Sequence, residues 1–130
     1  MTGGIPRLEA RPRILVVDDN EILARSFLRM LRAYDTSIES DPRNALARIH
    51  AGERFEIVLC DLQMPHLSGL DVLDELRAYY ANRAGMPHVI MMSGSDELRE
   101  DELGTPVLPK PCTATQVRAI VTRLLDPAAT

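Results

Sequence analysis

Asp18, Asp19, Asp61, Ser93 and Lys110 are the residues of this 130-residue chain whose types and placement could do chemistry together. Each lies where a short apolar run gives way to a polar segment. Ile14-Leu15-Val16-Val17 runs into Asp18-Asp19-Asn20, Phe55 to Cys60 runs into Asp61, His88 to Met92 runs into Ser93-Gly94-Ser95, and Val107-Leu108 runs into Pro109-Lys110-Pro111. One aspartate after a strand is ordinary turn chemistry. Three carboxylates, a hydroxyl and an ammonium spread in order over four such segments form a joint pattern. Packed together, the carboxylates repel, each pair costing about 4 kcal/mol at roughly 4 Å and an effective dielectric of about 20. A proton or a cation must relieve that repulsion. Oxygen donors with no His or Cys beside them favour a hard ion, Mg²⁺ first and Mn²⁺ as the alternative. A carboxylate, a divalent cation, an ammonium and a hydroxyl together suit a phosphoryl group.

The elements that must position these groups follow from periodicity. Arg13 to Val17 reads as a fully buried strand. Apolar residues at 23, 27, 30, 31 and 34 predict a helix over 21–34, and Thr36 to Glu39 a weak second strand. Asp41-Pro42 is an N-cap followed by proline at the first helical position, and that helix stops near Gly52. The alternation then recurs, with a strand from Phe55 to Cys60 and a helix marked by Leu70, Leu73, Leu76 and Tyr80. A strand over 88–92, a short helix over 96–103 and a two-residue strand at Val107-Leu108 come next. Thr113 with Gln116 is a capping box for the last helix, which ends at Asp126-Pro127. Strands alternating with helices predict an α/β fold with a parallel sheet covered on both faces. Ligands of such sheets bind beyond the carboxyl ends of the strands.

Composition narrows the function. Fifteen basic against nineteen acidic residues leave a net charge of −4, which argues against nucleic acid or an anionic membrane as partner. No apolar run approaches the roughly 20 residues of a membrane span, and Met1 to Pro12 lacks the core of a signal peptide. Cys60 and Cys112 have no paired spacing and read as reduced thiols of a cytoplasmic protein. Of the fifteen basic residues fourteen are Arg, and Lys110 is the one lysine. Arginine serves as the general cation, so the lysine stands out as a residue placed for its own chemistry.

Val16-Val17-Asp18-Asp19, Asp61-Leu62-Gln63-Met64-Pro65-His66-Leu67-Ser68-Gly69, Ser93-Gly94 and Lys110-Pro111 together resemble the receiver domain of two-component response regulators, the CheY-like superfamily. The resemblance runs from about Arg13 to Leu125. It implies a receiver domain over 13–126 flanked by tails at 1–12 and 127–130. The implied fold is a doubly wound (βα)5 flavodoxin-like sandwich with five parallel strands in the order 2-1-3-4-5. By the same resemblance Asp61 is the phosphoacceptor, taking a phosphoryl group from a histidine kinase or a histidine phosphotransfer domain. Asp19 and Asp61 ligate Mg²⁺ with the backbone carbonyl of Gln63, and Asp18 acts through metal-bound water. Lys110 pairs with the phosphoryl oxygens, Ser93 hydrogen-bonds them, and Gln63 and Ser95 tune the lifetime of the phosphoryl group. Lys110-Pro111 is a cis peptide. Such a domain catalyses its own phosphorylation and dephosphorylation without being an enzyme in the usual sense.

Two features depart from the pattern. Receivers usually carry an aromatic residue three positions before the lysine, and this chain has Val107. The segment 94–106 is short for a parallel crossover, so the fourth helix is shortened to about two turns, roughly 12 Å. The 20 residues after Lys110 suffice for one helix, so no output domain is expected in this chain. Two other readings stay open. A phosphatase working through an aspartyl-phosphate would want a second acid two residues after Asp61, where Gln63 stands. A binding module independent of phosphorylation would be favoured by missing pocket residues, and none is missing.

Overall fold

The computed structural model of the chain describes residues 11–94 and 100–126. Ten elements alternate: β1 (Arg13–Val17), α1 (Glu21–Met30), β2 (Asp35–Glu39), α2 (Pro42–His50), β3 (Ile57–Asp61), α3 (Gly69–Tyr80), β4 (His88–Ser93), α4 (Glu100–Leu103), β5 (Val107–Pro109) and α5 (Ala114–Leu125). The five strands form one parallel sheet in the order β2-β1-β3-β4-β5. This is the flavodoxin-like arrangement that the resemblance implied. The expected tails at 1–12 and 127–130 lie almost wholly outside the described residues. No described helix is long and apolar enough to cross a membrane.

The strands are apolar without interruption because both faces of the sheet are covered, and the side chains still alternate. Leu15, Val17, Val58, Cys60, Val89 and Met91 face α2 and α3, where Leu46, Ile49, Val72, Leu73 and Leu76 complete one core. Ile14, Val16, Ile57, Leu59, Ile90 and Met92 face α1 and α5, where Phe27, Leu31, Val117 and Val121 complete the other.

Local chemistry starts the helices. Asn20 accepts from the Leu23 amide, and Asp41 accepts from the Arg43 amide ahead of Pro42. Capping boxes open α3 at Ser68–Asp71 and α5 at Thr113–Gln116. The first helix is shorter than periodicity predicts. It ends at Met30, because the Leu31 carbonyl accepts from the Thr36 hydroxyl at 2.9 Å and the Met30 carbonyl accepts from Arg118 at 2.8 Å. Leu31 and Tyr34 still pack on the core, so a turn continues the apolar spacing past the helix end. β3 begins at Ile57 and not at Phe55. The Phe55 ring is buried between the guanidiniums of Arg13 and Arg48, 4.6 and 5.2 Å from its centroid, outside the ladder. β2 is half-buried along its length, as an edge strand is, which explains its weak sequence signal. Of the short fourth helix expected over 96–103, Glu100–Leu103 is helical, and 96–99 lie outside the described residues.

Candidate functional site

Parallel pairing brings the carboxyl ends of β1, β3, β4 and β5 to one edge, and Asp18, Asp19, Asp61, Ser93 and Lys110 stand there. Asp18 follows β1 and is fully buried, with its amide donating to the Glu39 carbonyl at 3.1 Å. Its carboxylate accepts from the Asn20 amide at 3.0 Å. Asp61 and Ser93 are the last residues of β3 and β4 and do not follow them as separate loop residues; both are buried. The Ser93 carbonyl accepts from the Lys110 amide at 2.8 Å, which ties the β4 end to the lysine. Lys110-Pro111 is a cis peptide, as the resemblance implied. Asp19 is exposed.

The centre of the site is an ammonium between two carboxylates. Lys110 Nζ lies 3.2 Å from Asp18 Oδ2 and 3.3 Å from Asp61 Oδ2. Burial pushes the Asp61 carboxyl upward from the ordinary range. Lys110 opposes that shift, and Asp18 adds to it. Burial works against the Lys110 ammonium, but the two carboxylates outweigh it and hold its pKa above the usual value. One carboxylate oxygen each of Asp18, Asp19 and Asp61 lies within 4.8 Å of the others. Three hard oxygen donors with no imidazole or thiolate among them fit Mg²⁺ by donor chemistry. The Gln63 amide donates to Asp61 Oδ1 at 3.4 Å, which sets the backbone after the aspartate beside its carboxylate.

The loop after β3 shows why the Asp61–Gly69 stretch has its pattern. The Gly69 amide donates to the Leu62 carbonyl at 2.7 Å, so α3 starts hard against the strand end. A Cβ on Gly69 would stand 2.6 Å from both the Asp61 carbonyl oxygen and Met91 Sδ, and 2.8 Å from Leu62 Cα. His66 takes a left-handed backbone at φ 73 and is exposed. Cys60 packs in the core, as its position on an apolar strand predicts, and burial pushes its thiol far up. Ser95 lies outside the described residues. Sequence reasoning missed Asn20 as the α1 cap and Ser68 as half of a capping box, although the Ser68-x-x-Asp71 spacing carries that signal.

Comparison with known proteins places this geometry. Residues 14–122 match the family model of the response regulator receiver domain. The chain is similar to the DNA-binding response regulator MtrA of Mycolicibacterium paratuberculosis, 34% identical over 124 residues, covering 87% of the chain and 52% of that regulator. It thus spans about half the length of the curated relatives it matches. Among solved structures, a response regulator receiver protein from Pseudomonas putida is 30% identical with a TM-score of 0.74, over 88% of the chain and 98% of its own. The signal receiver domain of a putative LuxO repressor protein from Vibrio parahaemolyticus is 28% identical with a TM-score of 0.76, over 92% and 93%. Three acids, a hydroxyl and a lysine from four strand ends, on a sheet of this order and with a family match over nearly its whole length, lead to one assignment: the chain belongs to the response regulator receiver domains of two-component signalling.

Proposed function

We propose that Asp61 is the phosphoacceptor of this receiver domain. The observation that carries the reading is the position of Lys110 Nζ, 3.2 and 3.3 Å from two carboxylates at the sheet edge where ligands of doubly wound folds bind. Receiver domains act with histidine kinases or histidine phosphotransfer proteins. A carboxylate oxygen of Asp61 attacks the phosphorus of a partner's phosphohistidine, the P–N bond breaks, and the imidazole leaves with the electron pair. Lys110 then pairs with the phosphoryl oxygens, and Ser93 donates its hydroxyl to one of them. Asp19, Asp61 and the Gln63 carbonyl would hold Mg²⁺, with Asp18 supporting it. An ion bound there would supply positive charge against the phosphoryl oxygens. Gln63 and Ser95 flank the acceptor and tune the phosphoryl lifetime. The family works in the cytoplasm, and we assign the domain there.

The MtrA regulators among the matches are named as DNA-binding, so the composition argument against nucleic acid applies to this segment and not to a longer regulator that contains one like it. The test is phosphorylation of the chain by acetyl phosphate. One phosphoryl group sensitive to hydroxylamine is expected with Mg²⁺ and none after chelation. Asp61→Asn removes the site. A wild-type chain that stays unmodified, or an Asp61→Asn chain modified to the same extent, overturns the reading.

A further inference from the structure

A helix leaves its last carbonyls without partners inside it. α4 ends at Leu103, and the chain turns off at Gly104, whose left-handed backbone at φ +73 is a common helix stop. The Leu103 carbonyl is met from another element. Arg77, in the last turn of α3, donates to it from Nη2 at 2.6 Å across 26 positions of sequence. A Cβ at position 104 would stand 3.2 Å from that nitrogen, so glycine there also leaves room for the guanidinium. The other end of α3 stands against the phosphoacceptor strand. The Gly69 amide donates to the Leu62 carbonyl at 2.7 Å, and no methyl group fits between Gly69 and the Asp61 carbonyl or Met91 Sδ. Packing this close passes a displacement on and does not absorb it. Met91 in turn donates its amide to the Pro106 carbonyl at 2.9 Å, just past Gly104. α3 therefore meets the stretch from β4 to β5 twice, with Gly69 at Met91 and with Arg77 at Leu103. The two contacts are about 12 Å apart along the helix axis.

We propose that the Arg77–Leu103 bond is an autoinhibitory clasp, which holds α4 in the arrangement of the unmodified chain and opposes phosphorylation. This rests on Asp61 as the phosphoacceptor. A phosphoryl group brings about −1.5 to −2 charge and three acceptor oxygens to the end of β3, where the start of α3 has no slack. Accommodating it displaces the start of α3 relative to the end of β4. α3 is a continuous helix of 12 residues opened by a capping box, so it moves as one piece and draws Arg77 off the Leu103 carbonyl. A contact made in one state and lost in the other biases the equilibrium by its own free energy, and the bias is reciprocal. Losing the clasp therefore eases occupation of Asp61. This route to α4 runs through α3 and needs no ring at position 107, where Val107 stands.

The experiment is an amide chemical-shift titration of the full chain with beryllofluoride, a mimic of the phosphoryl group, in the presence of Mg²⁺. It compares the wild type with Arg77→Met, which keeps the stem and loses every donor, and with Arg77→Lys, which keeps a cation without the fork. In the wild type the Gln63 amide, beside Asp61, and the Leu103 and Gly104 amides are expected to shift with one midpoint. Arg77→Met is expected to keep the shift at Gln63, to lose those at Leu103 and Gly104, and to bind beryllofluoride about two- to fivefold more tightly. Arg77→Lys is expected to fall between the two. Undiminished shifts at Leu103 and Gly104 in Arg77→Met, or an affinity no higher than that of the wild type, overturn the proposal. If Gln63 shifts in the wild type while Leu103 and Gly104 do not, the clasp alone fails. If Gln63 does not shift, the reading of Asp61 fails and the clasp falls with it. Arg77 is exposed, so its loss leaves the core intact, and Arg77→Lys carries the same readouts should Arg77→Met not fold.

Discussion

Lys110 satisfies two carboxylates that would otherwise repel each other beside a buried strand end, and its compactness is what lets it do so. A guanidinium is planar and longer, and it cannot place one nitrogen between two oxygens in the same way. Lys110→Arg is therefore expected to slow phosphorylation by acetyl phosphate at least about tenfold despite the retained charge. A normal rate in that variant would show that charge alone suffices. Single Arg→Lys changes at exposed Arg25 or Arg29 are expected to leave the rate unchanged. The two thiols differ for a simpler reason. Burial raises both, but Cys60 is fully enclosed and Cys112 is not. Titration of the folded protein with an aromatic disulfide is expected to find one reactive thiol, at Cys112, and two after denaturation. Equal reactivity in the native state would contradict the enclosed position of Cys60.

Elements are joined in this molecule by arginines, and that changes the meaning of their number. On composition alone the arginine excess looks like a background bias, but its guanidiniums tie carbonyls at element ends. Arg118 reaches Met30 at the end of α1, Arg77 reaches Leu103 at the end of α4, and Arg83 reaches Tyr79 near the end of α3. Helix ends leave carbonyls unsatisfied, and a five-donor fork serves them from a neighbouring segment. Around Glu53, Arg48 donates at 2.8 and 2.9 Å and Arg13 at 2.9 Å, which joins α2, β1 and the turn before β3. The hydrogen bonds from Arg48, then those from Arg13, lower the Glu53 pKa from 4.5 to about 2. A depressed carboxylate stabilises the fold above its unfolded pKa and loses that contribution as pH falls through the folded value. Glu53→Gln is therefore expected to cost about 0.5–1 kcal/mol at pH 7, a modest figure because the group is one-third exposed. The difference should shrink between pH 4.5 and 2, as read by denaturant unfolding. Gly69 is a steric junction between α3 and β3, so Gly69→Ala is expected to destabilise by about 1–3 kcal/mol through overpacking. An unchanged midpoint would mean that α3 can withdraw freely from the strand.

At the scale of the whole molecule, phosphorylation of Asp61 on the proposed function is expected to act first at the end of β4. Ser93 ends β4 within the core edge, and its carbonyl is bound to Lys110, so a new phosphoryl group pulls on one connected unit. Val107 is half-buried against the core that faces α2 and α3 and has no hydroxyl or ring to report that movement. Beryllofluoride, which mimics the phosphoryl group, is therefore expected to shift the Ser93 and Gly94 amides more than that of Val107, and the reverse order would place the relay in β5. Much of this architecture was legible beforehand. Periodicity, the Asp41-Pro42 start and the Thr113–Gln116 box located the elements because each is a local signal read within a few residues. The strand-end placement of Asp18, Asp61, Ser93 and Lys110 also located the candidate site, because a parallel sheet has a single edge where such groups converge. The end of α1 at Met30, the placement of Phe55 outside β3, the need for glycine at position 69 and the arginine ties were not legible. Each depends on a partner distant in sequence, such as Thr36 and Arg118 for α1 or Arg13 for Phe55. The sequence by itself determined which polar residues meet and on which edge of which sheet they do so. Only the tertiary structure decided where elements stop and how Lys110 divides itself between Asp18 and Asp61, because those depend on distances between segments that no local pattern encodes.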